Sequence, residues 1–234
     1  MKKCVTEPIP QFPDLDRDLD HDLNCLQYLY MNDIYSLKGN LKTLLIYLKT
    51  PLESLSITLC YLTQSDLKHL SQCQRLCQLK HLNLNSVMFS KFSVTYLPGL
   101  LDNTANTLQT LELANCRMED SELSALLPAL SQCSQLTTEN FYDNDISTAV
   151  LKKPVQSVAN LSNLTAEFYP TPLECYDPLG FVLVEEFAQV CLQLLNILFA
   201  KRQPKTIAFS TGICLEWCRC CIYDMKRRLC QCWQ

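Results

Sequence analysis

The chain has 234 residues, 48% of them hydrophobic and 19% charged, enough apolar material for a substantial core in one domain or two. Its formal charge of −4 at pH 7 gives no general electrostatic attraction to nucleic acid or to an anionic membrane, so neither is expected as a partner.

The first residues, MKKCVTEPIPQFPDLD, carry two lysines but neither the apolar stretch nor the small-residue cleavage site of a secretory signal, so export is not expected. On that reading the 15 cysteines are reduced thiols, mostly packed as small hydrophobes. The sequons at Asn160 and Asn163 are then expected to carry no glycan. In PDLDRDLDHDLNCL the alternating aspartates invite a calcium reading. An EF-hand loop, however, needs glycine at its sixth position and glutamate at its twelfth, and this stretch has neither. Leu15, Leu19, Leu23 and Leu26 fall instead at helical spacing behind Pro13 and Asp14, which predicts a helix with a solvated acidic face. If that helix completes a repeat whose strand is missing, the chain begins in mid-array with an uncapped edge.

From Leu26 onward one rhythm recurs. The pattern L-x-x-L-x-L is met at Leu26, Leu29 and Met31, at Leu52, Leu55 and Ile57, at Leu79, Leu82 and Leu84, and at Leu108, Leu111 and Leu113. It fades through Leu136, Glu139 and Phe141 to Leu164, Glu167 and Tyr169, at a spacing of roughly 26 to 29 residues. Helical stretches follow the anchors: TQSDLKHLSQC places Leu67 and Leu70 on one face, and EDSELSALLPALSQC does the same with Leu123, Leu126, Leu127 and Leu130. A short strand and an amphipathic helix each leave an apolar side in water when alone. Stacking strand–turn–helix units buries both, which predicts an α/β leucine-rich-repeat solenoid with parallel strands inside and helices outside. Cys60, Cys73, Cys116 and Cys133 recur at matching places and are expected to fill small slots between repeats.

Two features interrupt the pattern downstream. Glu139 and Glu167 stand where a buried leucine is expected, so each carboxylate must reach solvent, find a partner or take up a proton. Pro154 removes a helical hydrogen bond unless it sits in a first turn. FVLVEEFAQVCLQLLNILFA is interrupted by Glu185 and Glu186 and predicts a buried amphipathic helix rather than a membrane span.

The strings GNLKTLLIYLKTPLESLSI, ALLPALSQCSQLTT, FYDNDIS, LSNLTAEFYPTPLECYD and YDMKRRLCQCW occur in this order. From about Leu26 to the C-terminus the chain resembles the PRAME (preferentially expressed antigen in melanoma) family. The resemblance implies a horseshoe arc of the ribonuclease-inhibitor type. It implies a role as substrate-recognition subunit of a cullin-RING E3 ubiquitin ligase, with repression of retinoic-acid-receptor transcription and effects on apoptosis and proliferation. Family members are about twice as long, and the region that engages the ligase adaptors lies in an N-terminal half with no counterpart here. The expected division is an N-terminal tail and helix of an incomplete repeat at 1–24, the solenoid at 25–205 and a Cys-rich tail at 206–234.

In such a solenoid the residues between the strand leucines face outward along the concave side. They are Tyr28, Tyr30 and Asn32; Ser54, Ser56 and Thr58; His81, Asn83 and Asn85; Thr110 and Glu112; and Asn140 and Tyr142. This polar, tyrosine-dotted series is the candidate protein-binding surface, since aromatic rings bury large area and keep a hydroxyl for hydrogen bonding. No catalytic residues are assigned. The three histidines, His21, His69 and His81, are scattered, and Gly-x-Ser-x-Gly, P-loop and His-Glu-x-x-His motifs are absent. The tail CLEWCRCCIYDMKRRLCQCWQ offers Cys214, Cys218, Cys230 and Cys232 as a zinc set, with packed or surface thiols, or lipidated or oxidised ones, as the alternatives. Otherwise no cofactor is expected. The reading is a non-catalytic adaptor, cytoplasmic with a nuclear share left open. An inhibitor that occludes another protein's site and a truncated, poorly stable paralogue stand beside it.

Overall fold

The computed structural model describes residues 3–5, 26–33, 39–89, 94–157, 161–201, 204–214 and 219–224. In chain order they form β1 (Lys3–Val5), β2 (Tyr28–Asn32), α1 (Leu41–Ile46), β3 (Ser54–Thr58), β4 (Tyr61–Leu62), α2 (Gln64–Gln72) and β5 (His81–Asn83). There follow β6 (Met88–Phe89), α3 (Leu97–Thr104), β7 (Thr110–Glu112), α4 (Asp120–Leu130), β8 (Thr138–Asn140), α5 (Thr148–Ser157), β9 (Ala166–Pro170), α6 (Val184–Phe199), β10 (Thr206–Cys214) and β11 (Arg219–Asp224).

Leucine spacing becomes strand register. One sheet of nine strands runs in the order β1-β2-β3-β5-β7-β8-β9-β10-β11, parallel throughout except for the antiparallel last pair. Leu29, Leu55, Leu82, Leu111, Glu139, Glu167 and Ile207 form a single row across it. Parallel neighbours need a crossover connection, and each helix from α1 to α6 supplies one and packs against the next. The leucines of both layers merge in one core.

A recurring turn marks each unit. Asp33, Leu59, Ser86, Asn115 and Asp143, each four residues beyond the row, all have φ between 54° and 58°. This left-handed turn lifts the chain off the sheet toward the helix layer. A broken second ladder runs beside it: β4 pairs with β6, Glu119 bridges Asp145, and the Leu173 amide donates to the Ile146 carbonyl. The result is a mixed α/β architecture with a parallel sheet, compatible with a solenoid.

The two helices read from sequence occur where expected. Thr63 caps α2 in a capping box with Asp66, and Glu119 and Glu122 form the equivalent box on α4, which buries Leu123, Leu126, Leu127 and Leu130. Asp66 also accepts hydrogen bonds from the Gly39 and Leu41 amides, tying the start of α1 to α2. The apolar segment at 181–200 becomes α6, with Phe187, Cys191, Leu194, Leu195 and Leu198 buried. No described helix is long and apolar enough to cross a membrane.

Other details differ from expectation. Pro154 lies inside α5 rather than in its first turn, and Pro128 lies inside α4. The segment opening at Thr206, placed at the start of a tail, is instead strand β10, hydrogen-bonded along β9, and Lys3–Val5 is strand β1 beside β2. Cys60, Cys116 and Cys133 are buried as expected, whereas Cys73 is half-buried. The helix expected around Leu15, Leu19 and Leu23 lies outside the described residues, as does His21.

Candidate functional site

Alternation within each strand buries one residue type in the leucine core and turns the next to the opposite face, which carries no helix among the described residues. Two rows of side chains line that open face. The first runs Tyr28, Ser54, His81, Thr110, Thr138, Ala166 and Thr206; the second runs Tyr30, Ser56, Asn83, Glu112, Asn140, Phe168 and Ala208. Of the thirteen residues nominated from sequence, nine therefore lie in these two rows; Asn32 and Thr58 pair at the next register position, Asn85 follows β5, and Tyr142 follows just beyond β8.

Exposure sorts them. His81 is exposed, and Tyr28, Tyr30, Ser56, Asn83, Thr110, Glu112, Asn140 and Tyr142 are half-buried. Ser54 is the correction: at 5% exposure it offers almost no surface, although its register is as expected. Thr138 and Phe168 were missed. Carrying the same offset one repeat further would have found both.

Hydrogen bonds between neighbouring strands hold the side chains of this face. Asn140 Nδ2 donates to Glu112 Oε2 at 2.7 Å and Asn85 Nδ2 to the same oxygen at 3.4 Å, so the carboxylate is held between amides. His81 Nδ1 lies 3.1 Å from Thr110 Oγ1, and Thr58 Oγ1 donates to Asn32 Oδ1 at 2.7 Å. Asn83 and Asn140 each use Oδ1 to accept a backbone amide two residues on, from Asn85 at 2.9 Å and Tyr142 at 3.0 Å. These Asx-type contacts fix the strand ends. Tyr142 meets Phe168 edge to face at 5.3 Å, giving the downstream end of the face an aromatic pair.

The two misplaced glutamates are answered underneath. Glu139 and Glu167 are fully buried on adjacent strands, and the Tyr169 hydroxyl lies 2.6 Å from Glu139 Oε1 and 2.8 Å from Glu167 Oε2. Burial, and then the two carboxylates, push the Tyr169 hydroxyl well above its ordinary range. A second buried polar group, Asn144, accepts from the Cys116 and Met118 amides and donates to the Leu113 and Phe141 carbonyls. Both clusters stiffen the platform from within.

Burial pushes the Cys116 and Cys133 thiols up to about 12 and Cys175 to about 11, the opposite of nucleophile activation. His69 on α2 has Nδ1 3.4 Å from Ser65 Oγ, and His81 on β5 has Nδ1 3.1 Å from Thr110 Oγ1, both contacts being exposed. Among those residues no group of three or more His, Cys, Asp or Glu side chains could hold a metal ion. Of the proposed zinc set, Cys214 stands at the end of β10, while Cys218, Cys230 and Cys232 lie outside the described residues.

Comparison with known proteins matches residues 9–232 to the PRAME C-terminal domain. The chain is 46% identical over 194 residues to preferentially expressed antigen in melanoma-like protein 7 of Mus musculus, covering 83% of this chain and 40% of that protein. It is 45% identical over 202 residues to Oogenesin-3 of Mus musculus (86% and 40%) and 43% identical over 210 residues to human PRAME family member 20 (90% and 44%). It thus spans about two fifths of the length of the curated relatives it matches. With a family model spanning nearly all of its sequence and relatives of this similarity, the chain belongs to the PRAME family.

Proposed function

We propose that the chain is a non-catalytic, protein-binding leucine-rich-repeat solenoid of the ribonuclease-inhibitor type, and that the open face of its parallel sheet is the surface that grips a protein partner. The observation that carries this reading is the pair of side-chain rows crossing β2 to β9. They combine half-buried tyrosines, amides and hydroxyls with a single carboxylate, Glu112, on a rigid apolar base. Such a surface offers aromatic area and pre-positioned hydrogen-bonding groups at low entropic cost.

The PRAME resemblance favours a setting within a cullin-RING ubiquitin ligase, in cytoplasm and nucleus. There the face would select a substrate and so restrain transcription and apoptosis and favour proliferation. The test is affinity capture with mass spectrometry, comparing wild type with Ser56→Arg/Asn83→Arg on the open face and with Lys68→Glu on the exposed side of α2. Proteins lost with the first variant, kept with the second and accumulating when the proteasome is blocked support the whole reading. Recovery that is indifferent to Ser56→Arg/Asn83→Arg refutes the binding face. Loss of binding without any change in partner turnover leaves the face and removes the ligase role.

A further inference from the structure

The segment Leu173–Glu186, LECYDPLGFVLVEE, joins β9 to α6 beside the turn that follows β8. A loop of this composition ordinarily collapses to hide its apolar residues. This one is pinned in a reversal that prevents it. The Asp177 amide donates to the Phe181 carbonyl at 2.8 Å, Gly180 returns an amide to the Asp177 carbonyl at 2.9 Å, and Leu183 donates to Cys175 at 2.7 Å. Asp177 Oδ1 accepts from the amides of both Leu179 and Phe181 at 2.8 Å, and Tyr176 bridges Val182 in antiparallel fashion. Gly180 takes φ +85°, which a side-chain-bearing residue rarely adopts.

The fixed tip holds Leu179 81% exposed and Phe181 60% exposed, with Leu173 at 45% and Leu183 at 37%. Four of the nine large hydrophobic residues that are strongly exposed among the described residues therefore fall in one short projection. Nothing among the described residues accounts for that exposure, because the hairpin's own hydrogen bonds are backbone bonds and Asp177 contacts that do not need Leu179 or Phe181. Contiguous exposed apolar surface on an ordered element marks an interaction site.

Charge identifies the occupant. From Pro154 to Ala200 the sequence contains no lysine, arginine or histidine. Glu174, Asp177, Glu185 and Glu186 flank the apolar tip. Asp143 and Asp145 lie on the adjoining turn, to which the segment is tied by the Leu173 amide on Ile146 and by Thr148 on Glu174. Burial, and then the neighbouring Asp145 carboxylate, raise Asp143, a sign of crowded negative charge. The helix dipole accounts for Glu185 and Glu186 in the first turn of α6, and the turn accounts for Asp177, but no cation answers them within this stretch.

We propose that the Leu173–Glu186 projection is a preformed docking knob for a basic, amphipathic segment of a partner protein, whose apolar side chains cover Leu179 and Phe181 while its lysines or arginines face Glu174, Glu185 and Glu186. The knob shares no residue with the two rows of the open face, so the proposal stands apart from the function proposed for that face. The test uses the full chain and a fluorescein-labelled amphipathic Leu/Lys helical peptide, with a Leu/Glu peptide of equal length as control, read by anisotropy. The Leu/Lys peptide is expected to bind and the Leu/Glu peptide to fail. Leu179→Ser/Phe181→Ser is expected to weaken binding by about tenfold or more, the scale of an interface hot spot. Glu185→Gln/Glu186→Gln is expected to weaken it less and to flatten its salt dependence. All four side chains are solvent-exposed, so unchanged melting by circular dichroism separates lost docking from lost folding. Equal affinity of wild type and Leu179→Ser/Phe181→Ser, or equal binding of the two peptides, overturns the proposal. So does a concentration-dependent dimer that Leu179→Ser/Phe181→Ser abolishes, since the knob is then a contact between copies of this chain.

Discussion

Tyr169→Phe tests how the fold accommodates carboxylates in place of core leucines. The ring is fully buried and stacks on Phe209 at 5.8 Å, so the substitution keeps packing and removes one oxygen. That oxygen serves two buried side chains, Glu139 at 2.6 Å and Glu167 at 2.8 Å. The phenol has a single proton, so both contacts are hydrogen bonds only when one carboxyl is protonated and donates back. Losing a hydrogen bond to a buried polar or charged group costs about 1–3 kcal/mol, and two such contacts are lost here, which gives an expected loss of about 2–6 kcal/mol. For a domain of ordinary stability, about 5–15 kcal/mol, that is a large fraction.

Urea unfolding followed by far-ultraviolet circular dichroism measures the loss, with an unchanged m-value as the check that the same transition is compared. Glu167→Gln is the companion variant: its amide supplies the donor permanently, so it is expected to stay within about 1 kcal/mol of wild type. A loss under about 0.5 kcal/mol for Tyr169→Phe, the size of a neutral surface change, refutes the reasoning. The pH dependence has a definite sign. Tyr169 is raised in the native state, so its contribution is fully present below the ordinary tyrosine value of 10.0 and is lost as pH rises beyond it. Tyr169→Phe removes that part of the alkaline decline.

Three further outcomes are expected. Asn144→Ala deletes four buried hydrogen bonds, three of which tie the turn after β7 to the turn after β8, and should cost about 3–5 kcal/mol, read as a fall in urea midpoint. Leu59 holds the left-handed turn with φ 54° and is 56% exposed, whereas the equivalent places carry Asp33, Ser86, Asn115 and Asp143. Leu59→Asn should therefore stabilise by about 0.5–1 kcal/mol in the same assay. Cys77, exposed, should react with a thiol reagent at once, while Cys116, Cys133 and Cys175 should wait for unfolding. These raised thiols stabilise the fold below the ordinary value of 9.0 and cease to do so as pH climbs above it, so the thiols' part of the pH dependence should be level to about pH 9 and decline beyond.

The sheet was legible because side-chain alternation is a local property: Leu55, Leu82 and Leu111 announce their own burial, and counting between them yields the register. Helices α2 and α4 were legible through the polar caps that precede their leucines. What escaped depends on residues distant in sequence. Glu139 is tolerated through Tyr169, thirty residues on, which single-position reasoning treats only as another core aromatic. Ser54 has the right periodicity yet is buried, because exposure is set by neighbouring strands rather than by its own. Strands β10 and β11 carry no leucine signature, so the sheet's continuation read as a tail. Short α1 lacks a side-chain cap, and α5 continues through Pro154 because helix packing outweighs one lost hydrogen bond. The pinned hairpin at Asp177 has turn-forming residues, Pro178 and Gly180, but its exposure emerges only in three dimensions.

The most direct measurement of the central claim is photo-crosslinking in cells with a photoreactive amino acid placed at Asn83, on the open face, and in a separate variant at Lys68, on the exposed side of α2. A discrete protein adduct at Asn83 and none at Lys68 is the predicted result. Adducts confined to Lys68 would contradict the claim that the open face of the sheet is where this protein holds its partner.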